Sequence, residues 1–163
     1  MRAELEQLYC QHRQTLFSLA LTVTGCAELA EDAVHEAFVR LCRQNIQPTG
    51  SLAAYVFAAV RHAAIDCRRR QARQKALVAS LFEDSACRFG DHTNPVAAAE
   101  ELSHLRRLID ALEEPVREII VMKTFGNLTF DEIGQVLEMS AATVATRYRR
   151  ALLKLEEQLR RDA

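Results

Sequence analysis

The stretch Leu128–Leu155 reads LTFDEIGQVLEMSAATVATRYRRALLKL and lies in the C-terminal third of the chain. Thr129 and Glu132 have the spacing of a capping box, which predicts a short helix ending near Leu137. Ser140 follows the turn and is a candidate N-cap for a longer helix. A short helix, a tight turn and a longer helix that carries basic residues are typical of a helix-turn-helix.

The spacing of apolar residues predicts which face of the last helix is buried. Gly134 has no side chain at the point where the two helices of the unit must approach closely. Apolar residues of the last helix recur at spacings of three and four, so we expect them to face inward: Val144, Tyr148, Leu152, Leu155 and Leu159. The outward face then carries Ala145, Thr146, Arg149 and Leu153, flanked by Arg147, Arg150 and Lys154. Arginine suits bidentate contacts with guanine edges or phosphates, so this face is a candidate DNA-reading surface.

The same charge run has a simpler interpretation, because most basic runs on isolated amphipathic helices are solvated faces. The capped helix and the turn before it favour DNA contact here. The turn position usually held by glycine is Glu138. Either this residue takes a left-handed conformation at a cost of about 1 kcal/mol, or the turn is built differently.

The composition predicts an all-α protein. The 163 residues are 49% hydrophobic and include only five Gly and three Pro, while helix-favouring residues such as Ala, Leu, Arg, Glu and Gln are abundant. Such a chain can bury one core or form two small domains. No apolar run approaches the length of a membrane span and the N-terminus is charged, so we expect a cytoplasmic protein without membrane insertion.

The distribution of reactive residues argues against an enzyme. No phosphate-binding loop, nucleophile elbow or metal-spaced His/Cys set is present, so we expect no cofactor and no metal. The cysteines are scattered and never form a C-x-x-C pair: Cys10, Cys26, Cys42, Cys67 and Cys87. We interpret them as reduced, mostly packed thiols, with a redox or metal-sensing role for one of them as the alternative.

Breakers and apolar spacing divide the chain into an N-terminal domain at 1–76, a flexible acidic linker at 77–96 and a C-terminal domain at 97–163. Helices are predicted, before those of the helix-turn-helix, at Ala3–Thr22, Leu29–Gln44, Ser51–Lys75, Ala97–Leu112 and Val116–Phe125. Basic residues concentrate at the end of the third helix, where Arg61–Lys75 holds six Lys or Arg against one Asp. The formal net charge of -1 therefore hides a basic face suited to a polyanionic partner.

Three segments, in this order, resemble the extracytoplasmic-function sigma factors, the minimal two-domain initiation factors of bacterial RNA polymerase. AEDAVHEAFVRL at Ala30–Leu41 is similar to the segment that docks on the polymerase clamp. YVFAAVRHAAIDCRRR at Tyr55–Arg70 is similar to the promoter-melting and minus-ten recognition helix. LEEPVREIIVMKTFGNLTFDEIGQVLEMSAATVATRYRRALLKL at Leu112–Leu155 is similar to the domain that reads the minus-thirty-five element. The resemblance implies core RNA polymerase, promoter DNA and an anti-sigma factor as partners.

The resemblance also assigns roles to individual residues. The polymerase-binding positions are Glu31, Asp32, His35 and Glu36. The minus-ten and melting positions are Arg61, His62, Arg68 and Arg69, with Asn45 in a loop that receives a flipped base. The base-reading positions for the minus-thirty-five element are Ala145, Thr146, Arg149 and Arg150, and the backbone-positioning residues are Thr143 and Arg147.

Two aromatic residues, Tyr55 and Phe57, lie at the start of the melting segment and are candidates for stacking on unpaired bases. Tyr55 lies on the apolar stripe of its helix, so we expect core packing for it instead. The stripe comprises Leu52, Tyr55, Val56, Ala59, Val60 and Ala63.

Three positions depart from the usual pattern of the family. Ala145 replaces a commonly basic residue, His62 replaces Asn and His35 replaces Gln, which puts promoter strength or polymerase affinity in question. Two alternative functions therefore stay open. One is a stand-alone helix-turn-helix regulator, which would need a palindromic site and a dimer interface. The other is a sigma-like protein with weak initiation activity.

Overall fold

The computed structural model describes residues 2–44, 48, 50–80 and 107–162. These ranges contain helices and the turns between them and no strand, so the predicted all-α class is confirmed. The chain divides into two compact units, Met1–His92 and Thr93–Ala163. Asn45, most of the predicted linker 77–96 and the start of the predicted helix Ala97–Leu112 lie outside the described residues. No helix in the described part is both long enough and apolar enough to cross a bilayer.

The N-terminal unit is built from helices α1 (Arg2–Thr24), α2 (Ala27–Arg43) and α3 (Leu52–Ala79), each of which packs against the other two. Gly25 ends α1 with a positive φ of 67°, a conformation that suits glycine. The predicted N-cap of α3 is confirmed, because the Ala54 amide donates to Ser51 Oγ at 3.3 Å. The core combines large side chains with alanines that let the helices approach closely: Leu16, Leu19, Ala20, Ala30, Ala33, Val56, Phe57, Val60 and Ala63.

Helix α3 is longer than the sequence predicts, since it ends at Ala79 and not near Lys75. Residues 77–79, which the sequence assigns to the linker, are therefore part of this helix. All residues from 72 to 80 are exposed, so this part of the helix buries no side chain in the core. It contains Gln, Ala, Lys and Arg, which favour helix without help from packing.

The C-terminal unit is described from residue 107, and residues 107–110 are helical. Helix α4 (Glu114–Ile120) has Pro115 in its first turn and continues as a π-helical turn, Val121–Phe125, so the helix predicted at Val116–Phe125 is confirmed. Helices α5 (Phe130–Leu137) and α6 (Ala141–Asp162) complete the unit. Its buried core draws on all of these elements: Ile119, Met122, Ile133, Val136 and Val144.

The predicted inward face of α6 is only partly correct. Leu152 and Leu159 are 42% and 37% exposed, whereas Ala151 and Leu155 are buried. A residue advances by about 100° around an α-helix, so position 151 lies within about 20° of Val144 while position 152 lies about 80° away. Ala151 and Leu155 pack in a cluster with Leu112, Ile120 and, at its edge, Tyr148.

Candidate nucleic-acid interface

Local hydrogen bonds fix the start of both helices of the C-terminal unit's helix-turn-helix. In α5 the Glu132 amide donates to Thr129 Oγ1 at 3.2 Å, and the Thr129 amide donates to Glu132 Oε2 at 2.7 Å. At α6 the Thr143 amide donates to Ser140 Oγ at 3.2 Å. The predicted capping box and the predicted N-cap are therefore both confirmed.

The turn between α5 and α6 adopts the first of the two conformations considered for Glu138. This residue is left-handed, with φ 56° and ψ 42°. The amides of Glu138 and Met139 both donate to the Gly134 carbonyl oxygen, which closes the turn. A Cβ atom on Gly134 would lie 2.5 Å from the Met139 carbonyl oxygen. The required absence of a side chain is therefore confirmed, and the close approach is to the backbone of the turn.

The outer face of α6 presents polar and basic side chains. Thr143, Thr146, Arg149 and Arg150 are exposed, and Arg147 is half-buried. Thr146 Oγ1 donates to the Ala142 carbonyl oxygen at 2.8 Å, and Arg149 Nε donates to the Ala145 carbonyl oxygen at 3.2 Å. Both bonds lie within the helix, and the Arg149 bond uses only one of the five donors of the guanidinium.

The three arginines of this face differ from those at the end of the same helix. Arg160 and Arg161 each pair with a glutamate one turn back, at 2.6 Å and 2.5 Å. Among the described residues no carboxylate pairs with Arg147, Arg149 or Arg150. Their positive charge is thus available to an anionic partner, and phosphate and guanine edges are the partners that a guanidinium fits best.

A second group of predicted DNA-binding residues lies on α3. His62 and Arg69 are exposed, Arg61 is half-buried, and Asn45 lies outside the described residues. Arg68, the remaining member of this group, is half-buried, and its Nη1 donates to the Val23 carbonyl oxygen at 2.9 Å, because the turn of α3 that carries it passes the end of α1.

The burial of the two aromatic residues of α3, Tyr55 and Phe57, is the reverse of what the sequence predicts. Phe57 is fully buried, and its ring meets that of His12 edge-on at a centroid distance of 5.6 Å. Tyr55 is 37% exposed and lies seven residues, or about two turns, before His62 on the same side of the helix. The buried stripe runs through Val56, Phe57 and Val60, so the predicted stripe was rotated too far toward Tyr55.

The predicted polymerase-binding residues lie on α2. Glu31, Asp32 and His35 are exposed. Glu36 is half-buried and is paired with two arginines, Arg40 of its own helix at 2.9 Å and Arg70 of α3 at 2.5 Å. Three of the four predicted residues are thus exposed, whereas the fourth, Glu36, forms an ion pair that joins α2 to α3.

Comparison with known proteins agrees with this arrangement. A family model of sigma-70 region 2 matches residues 8–74, and one of sigma-70 region 4 matches residues 102–155. The extracytoplasmic-function RNA polymerase sigma factor SigE of Mycolicibacterium smegmatis is 28% identical over 163 aligned residues, which cover 94% of this chain and 61% of SigE. The chain belongs to the extracytoplasmic-function sigma factors. The two matched regions include residues 141–155 of α6 and 52–74 of α3, the helices that carry the candidate DNA-binding residues.

Two further relatives of this chain are also named RNA polymerase sigma factors. RNA polymerase sigma factor YlaC of Bacillus subtilis is 22% identical over 161 residues, covering 97% of this chain and 93% of YlaC. The extracytoplasmic-function sigma factor ShbA of Streptomyces griseus is 30% identical over 105 residues, covering 63% of this chain and 55% of ShbA. The aligned part therefore spans less than two thirds of SigE and of ShbA, and nearly all of YlaC.

Solved structures share the fold of this sigma factor. The sigma factor RpoE of Bartonella quintana, in complex with the anti-sigma factor NepR, matches with a TM-score of 0.69 at 17% identity, over 98% of this chain and 99% of RpoE. CnrH, in complex with the cytosolic domain of CnrY, matches with a TM-score of 0.66 at 22% identity, over 100% of this chain and 92% of CnrH. At these identities the likeness concerns the fold.

The structure of the sigma factor also contains a groove that sequence reasoning missed. The groove lies between α1 and α2 and has a volume of about 710 Å³. Two of the predicted polymerase-binding residues, Glu31 and His35, line this groove. They lie beside its apolar side chains, which include Leu5, Tyr9, Phe17, Val34 and Phe38. The rings of Tyr9 and Phe38 meet edge-on at 4.9 Å. The sequence signal for this groove is that Tyr9 and Phe38 each lie at the edge of the apolar stripe of their helix. The sequence does not show that the two rings meet, because this depends on how α1 packs on α2.

Proposed function

We propose that this sigma factor binds core RNA polymerase and directs promoter-specific initiation of transcription. The observation that carries the proposal is the set of Arg147, Arg149 and Arg150 on the second helix of a capped helix-turn-helix, none of which pairs with a carboxylate among the described residues. The region 2 match supports the polymerase-dependent role over a stand-alone regulator, which would not need that region.

In this proposal α6 reads the minus-thirty-five element. Thr146, Arg149 and Arg150 contact base edges, while Thr143 and Arg147 contact the sugar-phosphate backbone. Contacts of the second kind fix orientation, and those of the first kind select sequence. Ala145 contributes only a methyl group, so the element is held by fewer cations than is usual in the family.

Helix α3 acts on the minus-ten region in the same proposal. Arg61, His62 and Arg69 neutralise phosphates of the opening duplex, and each neutralised phosphate releases counterions. Tyr55 takes the stacking role, since Phe57 is buried. Arg68 supports the fold through its bond to α1, and Asn45 remains assigned to the loop that receives a flipped base.

The polymerase contacts are assigned to α2. Glu31, Asp32 and His35 form an exposed, mainly acidic face beside the groove between α1 and α2. An acidic face with an adjacent apolar groove suits a protein surface better than DNA. Since sigma factors act by binding, we propose no catalytic activity for the chain, and its place of action is the cytoplasm, where bacterial polymerase transcribes.

An anti-sigma factor is the proposed regulator, because both RpoE and CnrH were solved with a partner, an anti-sigma factor in the case of RpoE. Affinity purification from native cells is expected to return polymerase and a second, small protein. Recovery of polymerase without such a protein would count against the regulator and leave the initiation role unaffected.

The deciding experiment is run-off transcription with reconstituted core polymerase on DNA from upstream of the protein's own gene. We expect transcripts with the wild-type chain and a loss of about 5- to 160-fold with Arg149→Ala, because one bidentate contact discriminates by about 1–3 kcal/mol. Arg161→Ala is the matched control, since it removes a paired arginine from the same helix.

Two controls complete this experiment. Core polymerase must co-purify equally with wild-type chain and Arg149→Ala, which separates DNA reading from polymerase binding. A gel shift without polymerase is expected to give weak binding, whereas tight binding of the free chain to a palindrome would favour the stand-alone regulator and refute the proposal.

A further inference from the structure

Glu36 connects the polymerase-facing helix to the DNA-facing helix. Its Oε1 accepts from Arg40 Nη2 at 2.9 Å within α2, and its Oε2 accepts from Arg70 Nη2 at 2.5 Å across to α3. The same Arg70 nitrogen lies 3.1 Å from Cys67 Sγ, and that sulfur lies 3.9 Å from Glu36 Oε2. One carboxylate thus holds two guanidinium groups on two helices.

Arg70 belongs to the basic stretch of α3. It directly follows Arg69, which is exposed, and its own side chain is 54% exposed. The hydrogen bond to Glu36, together with that to Cys67, raises the pKa of the Arg70 guanidinium above its ordinary value, so this group stays a cation. A phosphate that approached Arg70 would compete with the Glu36 carboxylate for the same Nη2 donor.

We propose that Glu36 is a positioning residue that holds Arg70 against α2 in the free protein and thereby withholds one cation of α3 from DNA. This inference rests on the proposed function, because it requires that α3 meet nucleic acid. It gives Glu36 a different task from that of its neighbours Glu31, Asp32 and His35, which have exposed side chains.

The size of the effect follows from the exposure of the pair. Both side chains are partly solvated, at 54% and 35%, and exposed ion pairs of this kind alter an equilibrium by about 1.5- to 5-fold. Salt screens such pairs, so the effect is largest at low ionic strength. If Arg70 then gains a phosphate, the slope of log K against log salt becomes steeper by about 0.9.

The test uses the full chain, without polymerase, and a short DNA duplex of mixed sequence, because phosphate contacts do not depend on sequence. Binding is measured by fluorescence anisotropy over a range of salt concentrations. Glu36→Gln is expected to bind about two- to fivefold more tightly than wild type at low salt, with the steeper slope. Asp32→Asn is the matched control. It removes a negative charge one turn away from Glu36, and Asp32 pairs with no cation among the described residues.

Two further backgrounds identify the arginine that is released. In the Arg70→Gln background, adding Glu36→Gln is expected to raise the DNA affinity no more than Asp32→Asn does. In the Arg40→Gln background, adding Glu36→Gln is expected to raise the DNA affinity by about the full two- to fivefold. Thermal unfolding of each variant serves as the folding control. A purely structural role for Glu36 would lower the melting temperature of Glu36→Gln without tightening DNA binding.

The outcomes separate this inference from the proposed function. If Glu36→Gln gains no more than Asp32→Asn while Arg69→Gln weakens binding, the restraint of Arg70 is refuted and the DNA-binding role of α3 stands. If Arg69→Gln also leaves binding unchanged, α3 does not meet DNA in the free chain and the inference is refuted, whereas the proposed function is decided separately by run-off transcription with core polymerase.

Discussion

Arg68 Nη1 donates a hydrogen bond to the Val23 carbonyl oxygen at 2.9 Å, although the two residues are 45 positions apart in the chain. Val23 lies in the last turn of α1, where carbonyl groups lack partners within their own helix. A guanidinium of α3 therefore satisfies the end of α1. An arginine that the family resemblance assigns to DNA has a structural contact in this chain.

Arg68→Ala is expected to destabilise the N-terminal unit by about 1–3 kcal/mol, because hydrogen bonds from charged groups contribute about that much. Urea titration followed by circular dichroism measures the change. Arg69→Ala is the control, since its side chain is exposed and its loss is expected to weaken DNA binding with little change in stability. Equal stability of the two variants would contradict the structural role of Arg68.

Gly134→Ala is expected to destabilise the helix-turn-helix by about 1–3 kcal/mol through overpacking. The sign is informative, because alanine in a helix interior would otherwise stabilise by about 1 kcal/mol relative to glycine. The cause is the 2.5 Å approach of the new Cβ to the Met139 carbonyl oxygen. Gln135→Ala, at the exposed neighbouring position, should change the free energy of unfolding by less than about 0.5 kcal/mol.

Glu138→Gly is expected to stabilise the C-terminal unit by about 1 kcal/mol, because glycine adopts the left-handed conformation without the steric cost of a Cβ. Glu138→Ala separates this effect from the loss of charge, since alanine keeps the strain. The urea midpoint should therefore rise for Gly and not for Ala. A rise of equal size in both variants would assign the effect to the carboxylate.

Tyr55→Leu is expected to impair opening of the minus-ten region while Tyr55→Phe preserves it. Stacking of a base on an aromatic ring contributes about 1–3 kcal/mol, and leucine keeps apolar area without a π-face. Permanganate footprinting of unpaired thymines, with core polymerase present, measures the opening. Unimpaired opening with leucine would exclude stacking and leave Tyr55 as a packing residue.

Local signals account for the part of the structure that the sequence predicts well. The capping pairs Thr129 with Glu132 and Ser140 with Thr143 are three residues apart, so their spacing alone identifies both helix starts. Gly134 is predictable for the same reason, because the turn that excludes its side chain follows within a few residues. The order of helices and the outward arginines of α6 follow from these boundaries.

The phase of a helix is harder to derive from spacing. Ala151 and Leu152 are adjacent, and apolar spacing favours the larger residue for the core, although the packing of α6 buries the smaller one. The same uncertainty in helix phase makes the sequence favour Tyr55 for the core and Phe57 for stacking, whereas Phe57 is the buried residue. Side chains with several apolar neighbours along the chain fit more than one face.

Long-range polar contacts could not be predicted from the sequence at all. Glu36 and Arg70 are 34 positions apart and Val23 and Arg68 are 45 apart. A charged residue on a helix is equally compatible with solvent, with DNA and with a partner on another helix until the packing of α1, α2 and α3 is known. The two arginines that sequence reasoning placed in one basic stretch thus have different tasks.

The exposed end of α3 has a consequence for the placement of its last cations. Residues 72–80 extend for about 12 Å at 1.5 Å per residue and gain nothing from the core. Helical turns without tertiary support open readily, so their amide hydrogens should exchange with solvent far faster than those near Val60. Arg73 and Lys75 therefore lie on helical turns that unfold at lower temperature than the bundle of α1, α2 and α3. On warming, their charges lose a fixed position while the bundle itself remains folded.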